Sequence, residues 1–251
     1  MASSLLDTIK SSAPLLSVGA LSANLLHLAD SIKTLEENGI RLLHFDVMDG
    51  RFCPQFTAGA FFTKGIGTTL LKDVHLMVED PLPLIPEFAA AGADIITVHA
   101  ESGRHIHRSL QLIGELKNSN DPSRGILRGI ALNPGTSLDV LGPLLAEVDL
   151  VFLLAINPGF PGQRLIDETG RRCALLKSII SKSGRNILIG IDGGITRNNI
   201  GQAAFWGGQI IVTGSAVFEG GRVRENLEEM RLSISEALKG CDENEKQMVR
   251  C

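Results

Sequence analysis

The sequence predicts an α/β protein built as a closed (β/α)8 barrel, the TIM-barrel architecture, and three observations predict it. Eight short runs of β-branched and aliphatic residues recur along the 251 residues, each apolar on both faces as strands covered by helices must be. Segments with helical spacing separate these runs, so the order is strand then helix, repeated. Eight such units within one domain's length favour closure over an open sheet, with a doubly wound sheet as the alternative. One barrel domain is therefore expected over residues 1–251, ending in a polar tail from about 240 to 251.

The elements follow in order. Strand-like runs fall at Leu15–Leu21, Arg41–Val47, Lys72–Val78, Asp94–His99, Leu127–Leu132, Val148–Ile156, Asn186–Asp192 and Gln209–Val212. Helical spacing marks Leu25–Asn38, Pro83–Ala91, His107–Leu116, Arg171–Ser181 and Arg224–Ala237. Several helices stop at glycine just before the next strand, at Gly39, Gly92 and Gly207-Gly208, as a left-handed cap requires. The turns around Ala91-Gly92-Ala93-Asp94 and Trp206-Gly207-Gly208-Gln209 look like two copies of one device.

Composition narrows the function. With 44% apolar, 21% charged and 4% aromatic residues, the chain is neither disordered, collagenous nor coiled coil. Its 24 basic and 28 acidic residues leave a net charge of -4, so no global basic surface exists for nucleic acid. Cys53, Cys173, Cys241 and Cys251 lie far apart with no CxxC pair, which suggests reduced thiols and a cytoplasmic protein. The N-terminal segment is broken by Asp7, Lys10 and several serines, unlike a secretory signal, and no apolar run is long enough to span a bilayer.

In such a barrel the C-terminal ends of the strands and the loops after them build the active site. His44 and Asp46 stand two apart, on one face of the second strand; His75 sits in the third, and Asp192 ends the seventh. Two imidazoles and two carboxylates converging in a barrel mouth suit one divalent first-row metal ion, such as zinc, iron, cobalt or manganese. The bland reading is core residues hydrogen-bonded to backbone, but buried carboxylates need partners and a metal is one. Glycine loops after strands six (Gly159, Gly162), seven (Gly193, Gly194) and eight (Gly214, followed by Ser215) sit where barrels hold phosphate, although tight βα turns use glycine anyway. His99 and Glu101 either line the site or serve as structural hydrogen-bond partners, while His105 and His107 read as solvent-facing or helix-capping. Phe61 and Phe62 look exposed, as at an interface or lid. Two carboxylates across a pocket can move protons, so the residues suggest proton abstraction beside a carbonyl in a phosphorylated substrate, with metal-assisted hydrolysis as the rival.

A family resemblance rests on Leu21-Ser22-Ala23, His44-Phe45-Asp46-Val47-Met48-Asp49-Gly50, Asp73-Val74-His75-Leu76-Met77, Thr97-Val98-His99, Ala131-Leu132-Asn133-Pro134, Asn157-Pro158-Gly159-Phe160, Asp192-Gly193-Gly194 and Gly214-Ser215-Ala216. In this order, over about 16–218, the chain resembles the ribulose-phosphate 3-epimerase family. The resemblance implies a TIM barrel of the ribulose-phosphate binding type that interconverts ribulose 5-phosphate and xylulose 5-phosphate. It implies His44, Asp46, His75 and Asp192 as ligands of one divalent metal, zinc first, with Asp46 and Asp192 as the acid/base pair. It further implies substrate contacts from Ser22 and His75, a soft wall from Met48 and Met77, phosphate binding by Gly159, Gly162, Gly193, Gly194, Gly214 and Ser215, and a homo-oligomer, dimer or hexamer.

Departures stand beside it. Val18-Gly19-Ala20-Leu21-Ser22 replaces the usual P-S-I-L-S, and Leu153-Leu154-Ala155-Ile156-Asn157-Pro158-Gly159-Phe160-Pro161-Gly162-Gln163 replaces L-M-T-V-N-P-G-F-G-G-Q. Pro161 has no main-chain N–H to donate. These segments and Phe52-Cys53-Pro54-Gln55-Phe56-Thr57 are similar to a bacterial group of epimerase-like proteins associated with autoinducer-2 processing. That likeness implies a phosphorylated ketose-like substrate other than ribulose 5-phosphate, and a sister group handling D-allulose 6-phosphate offers a further candidate; Gly19, Ala155 and Pro161 also fit a sugar-phosphate binder that has lost catalysis.

Overall fold

The computed structural model describes residues 4–248, without the side chains of 241–248. Eight parallel strands pair in sequence order and the last closes on the first, so the sheet is a barrel without an edge. They are β1 (Leu15–Gly19), β2 (Leu42–Met48), β3 (Leu71–Met77), β4 (Ile95–His99), β5 (Leu127–Leu132), β6 (Leu150–Leu154), β7 (Leu188–Asp192) and β8 (Ile210–Thr213). The doubly wound alternative is excluded by the direct β1–β8 pairing, Leu15 opposite Ile210 through Val18 opposite Thr213.

Helix α1 (Leu5–Ser11) precedes the barrel; α2 (Leu28–Glu37), α3 (Ala60–Gly65), α4 (Ile85–Ala90), α5 (Ile106–Glu115), α6 (Glu168–Ser183), α7 (Ile200–Phe205), α8 (Ser215–Phe218) and α9 (Val223–Met248) follow between and after the strands. The sequence reading missed α1, α3, α7 and α8, all of seven residues or fewer, too short to show a helical period. Strands β1, β4, β6 and β7 are shorter than expected, β1 and β6 for visible reasons. β1 stops at Gly19 because the chain tightens into a 3-10 turn over Ala20–Ser22, and β6 stops at Leu154 because the Ala155 carbonyl is taken by the Ile166 N–H of the returning loop. The expected helix from Leu25 likewise opens as a 3-10 turn, Leu25–His27, before α2. Gly39, Gly92 and Gly207 all have φ between 70° and 95°, the left-handed backbone the caps call for. α9 carries on to Met248; the side chains beyond Gly240 and residues 249–251, where the expected polar tail falls, lie outside the described residues.

Strand alternation divides the apolar residues into two cores. Leu43, Phe45 and Val47 of β2, with Val74 and Leu76 of β3, Ile96 and Val98 of β4, and Ile189 and Ile191 of β7, point outward and pack under the helices. Their alternates point into the barrel. Leu42, Ile95, Leu127, Leu150, Leu188 and Ile210 fill its lower end together with Ile9, Leu5 and Leu6 of α1, which plugs the N-terminal mouth. Above this layer, glycine at 129 and 190 leaves room for neighbours: a Cβ at Gly190 would run into the Phe152 ring and one at Gly129 into Thr97. Phe152 therefore lies across the barrel as a floor, its ring centroid 6.2 Å from that of His44 and 6.3 Å from that of His75. Above that floor the inward positions carry His44, Asp46, His75 and Asp192 among apolar neighbours such as Ala131, Leu154 and Met77.

Phe61 and Phe62 separate. Phe61 is 93% exposed, but Phe62 packs on the core, its ring 6.4 Å from that of Phe45, so only the first is a surface residue. Cys53 and Cys173 are buried free thiols. No helix among the described residues is long and apolar enough to cross a membrane.

Candidate active site

The β2–β3 register places His44 opposite Asp73, Asp46 opposite His75 and Met48 opposite Met77, all on inward-facing positions. Asp192 ends β7 and reaches the same point. One ligand atom each from His44, Asp46, His75 and Asp192 then lies within 4.8 Å of the others, a group able to hold a metal ion. The individual approaches are His44 Nε2 to Asp46 Oδ1, 3.3 Å, and to Asp192 Oδ2, 3.9 Å; His75 Nδ1 lies 3.5 Å from Asp46 Oδ1 and 3.2 Å from Asp192 Oδ2.

Two features of the chain fit this set to a cation. His44 Nε2 and His75 Nδ1 are buried with no hydrogen-bond partner, although each faces two carboxylates. The other nitrogen of each ring is occupied: His44 Nδ1 is 2.8 Å from Asp73 Oδ2, and His75 Nε2 is 2.9 Å from His99 Nε2. Metal-binding histidines are held this way, one nitrogen tied back and the other aimed at the ion. The residue holding His44, Asp73, is fully buried and also accepts from the Ser17 hydroxyl at 2.7 Å. The sequence reading passed over Asp73, yet a signal was there: it stands two residues before His75, on the same face of an apolar strand.

Electrostatics follow from crowding. Burial lowers the basicity of His44, but Asp73 and Asp46 outweigh it and raise its pKa well above the usual imidazole value. His75 is raised too, against its burial, by its contacts with Asp192 and Asp46. Asp46 is held far below the usual carboxylate range, because the neighbouring His44 and His75 outweigh the opposing effect of burial. The imidazole side chains are sealed from solvent, while Asp46 and Asp192 keep 32% and 13% of their side-chain surface exposed, so a molecule entering the mouth meets the carboxylates.

His99 resolves toward the structural reading. It lies fully buried between His75 and Phe52, with ring centroids 5.0 Å and 4.5 Å away. Burial, with the nearby His75, pushes its pKa down to about 4. Asp49 shapes the covering loop by accepting main-chain N–H from Arg51 and Phe52 at 2.9 Å each and from Glu79 at 2.7 Å. His105 and His107 are solvent-exposed at the start of α5, away from the cluster.

The remaining candidates ring the mouth. Met77 is buried and Met48 half-buried. Ser22, Thr196, Arg197 and Ser215 line part of a cavity of about 490 Å³ formed by the segments after β1, β7 and β8. Gly214 lies directly beneath Ser22, where a Cβ would strike the Ser22 hydroxyl. Gly159, Gly162, Gly193 and Gly194 all have positive φ, but packing accounts for three of them: a Cβ at Gly159 would lie 2.6 Å from Cys53 Cβ, at Gly194 2.6 Å from Leu165 N, and at Gly193 against Ile156. Gly194→Ala should therefore cost at least about 1–2 kcal/mol from the left-handed backbone alone, with a displaced β6 loop; a denaturant melt matching the parent would contradict this.

A closed parallel barrel with a two-imidazole, two-carboxylate cluster at its C-terminal mouth is the architecture of a TIM-barrel enzyme. The model of the ribulose-phosphate 3 epimerase family matches residues 15–218, and the chain belongs to that family. It is 40% identical over 206 residues to the ribulose-phosphate 3-epimerase of Aquifex aeolicus, covering 81% of this chain and 89% of that one. It is 36% identical over 224 residues to the enzyme of that name from Escherichia coli K12, covering 88% and 96% respectively. Among solved structures, 3-keto-L-gulonate-6-phosphate decarboxylase from Vibrio cholerae (TM-score 0.60, 14% identity, 89% of this chain and 98% of that one) and 3-hexulose-6-phosphate synthase from Salmonella typhimurium (0.61, 14%, 89% and 99%) share the barrel.

Proposed function

We propose that this protein epimerises a ketose phosphate at C3, interconverting ribulose 5-phosphate and xylulose 5-phosphate. The observation that carries the reading is the joint placement of Asp46 and Asp192 on the open side of a sealed imidazole pair, in a chain of the ribulose-phosphate 3-epimerase family. Either carboxylate, ionised, takes the C3 proton from the face it meets; the other, protonated, returns one to the opposite face. A divalent ion, zinc by preference, would be held by His44 Nε2, His75 Nδ1 and one oxygen each of Asp46 and Asp192, and when bound supplies Lewis-acid stabilisation of the enediolate charge. Met48 and Met77 give that charge a poorly hydrated wall. Ser22 and Ser215, which line the cavity formed by the segments after β1, β7 and β8, receive the phosphate together with the glycine loops at 159, 162, 193, 194 and 214. Exposed Phe61, Phe56 and Leu26 on the segments after β1 and β2 support a homo-oligomer.

Proton NMR of zinc-loaded protein with ribulose 5-phosphate in deuterated water tests this: deuterium should enter C3 as xylulose 5-phosphate appears. Absence of exchange with zinc occupancy verified would overturn the assignment. Exchange seen only with D-allulose 6-phosphate would instead tie the altered β6 loop, with Pro161, to a changed substrate.

Metal binding should depend on pH with a defined sign. His44 and His75 hold protons to higher pH than ordinary imidazoles, so those protons must leave before the nitrogens can ligate. Affinity should therefore rise with pH until both are lost, by roughly tenfold per unit for each proton displaced. Zinc titrations at several pH values check it, and a flat profile across the histidine range would contradict it.

A further inference from the structure

The proton chemistry above leaves one buried hydrogen-bonded chain unused. His99 Nε2 and His75 Nε2 face each other at 2.9 Å, in rings only 14° from parallel planes. On its far side His99 Nδ1 lies 3.1 Å from Glu101 Oε2. Glu101 is tied down in turn: its Oε1 accepts the main-chain N–H of Asn133 at 2.8 Å and the hydroxyl of Thr136. Arg172 braces that same turn, donating to the carbonyls of Pro134 and Thr136 at 2.7 Å each and of Asn133 at 3.2 Å.

The chain has a direction. Two ring nitrogens at hydrogen-bond distance need one proton between them. An ionised carboxylate only accepts, so His99 donates its Nδ1–H to Glu101, and the Nε2 lone pair of a neutral His99 is left free to accept. His75 must then donate from Nε2, which leaves its Nδ1 lone pair bare, and Nδ1 is the atom facing Asp46 and Asp192. We propose that His99 and Glu101 are positioning residues that fix His75 in its Nε2–H tautomer and aim Nδ1 at a divalent metal ion. This inference rests on reading the four-residue cluster as a metal centre. It makes His75 the counterpart of His44, which is oriented by Asp73, but with an imidazole–carboxylate pair in place of a single carboxylate and with its anchor in the loop after β5.

The test uses the whole chain and zinc alone. Long-range proton–nitrogen NMR of the zinc-loaded protein should show hydrogen on His75 Nε2 and on His99 Nδ1. Hydrogen on His99 Nε2 would overturn the proposal without any variant. His99→Leu should bind zinc about 10- to 100-fold more weakly, whereas His99→Gln, whose amide oxygen can still accept from His75, should recover most of the loss. A folded His99→Leu protein that takes zinc as tightly as the parent would sink the inference and leave the metal centre standing. Failure of the parent itself to bind zinc would sink both.

Discussion

Asp192→Asn should lower epimerisation by about 10²- to 10⁴-fold, the usual share of a positioned acid or base. The amide can neither take nor return a proton at C3, and it is a poorer partner for a cation. The fold should survive, because the structural bond at this position uses the main chain: the Asp192 carbonyl accepts from the Ala155 N–H at 2.7 Å, which the substitution leaves in place. Its side chain approaches only the two imidazoles among the pairs described. The variant also discriminates mechanism. If the two carboxylates work on opposite faces, Asp46 should still exchange the C3 proton of one epimer with deuterated water while interconversion is lost. Undiminished turnover would remove Asp192 from the acid/base role, and exchange into both epimers would point to a single base.

The second large effect is expected at Asp73, which no substrate can reach. Its carboxylate holds His44 Nδ1 at 2.8 Å and the Ser17 hydroxyl at 2.7 Å in the closed interior. Asp73→Leu keeps the branched heavy-atom skeleton, in a bulkier form, but leaves both donors unpaired, at about 1–3 kcal/mol each. It also frees the His44 ring from its orientation, so zinc affinity should fall about 10- to 100-fold. Asp73→Asn should be milder, since its amide oxygen still accepts from Nδ1–H. Chelator-competition titration with a thermal melt on the same samples separates the two losses. Parent-like zinc binding by a folded Asp73→Leu protein would show that His44 needs no orienting partner.

Much of this was legible along the chain. Binary patterning with period two put His44 and Asp46 on one face, and His75 and Asp192 into strands whose other residues are apolar, because a side chain in a strand can point only to one side or the other. Repetition of strand and helix in one domain's length implied closure. Short helices escaped notice for the opposite reason: α1 buries Ile9 and flanks it with Leu5 and Leu6 only once a barrel end exists to receive them. Glycine loops were legible as turns but ambiguous as phosphate sites, since Gly159, Gly193 and Gly194 are each required by a neighbour the sequence does not reveal.

By itself, then, the sequence determined the barrel, the inward faces and the four polar residues gathered at its mouth. Only the tertiary structure decided which nitrogen of each histidine is free, because that depends on cross-strand register: His44 falls beside Asp73, and His75 reaches His99 and through it Glu101. It also decided that Phe152 floors the site, since the space for that ring is made by Gly190 on the next strand. Strand alternation is a local property of the backbone, whereas register and ring orientation are set by contacts between residues tens of positions apart.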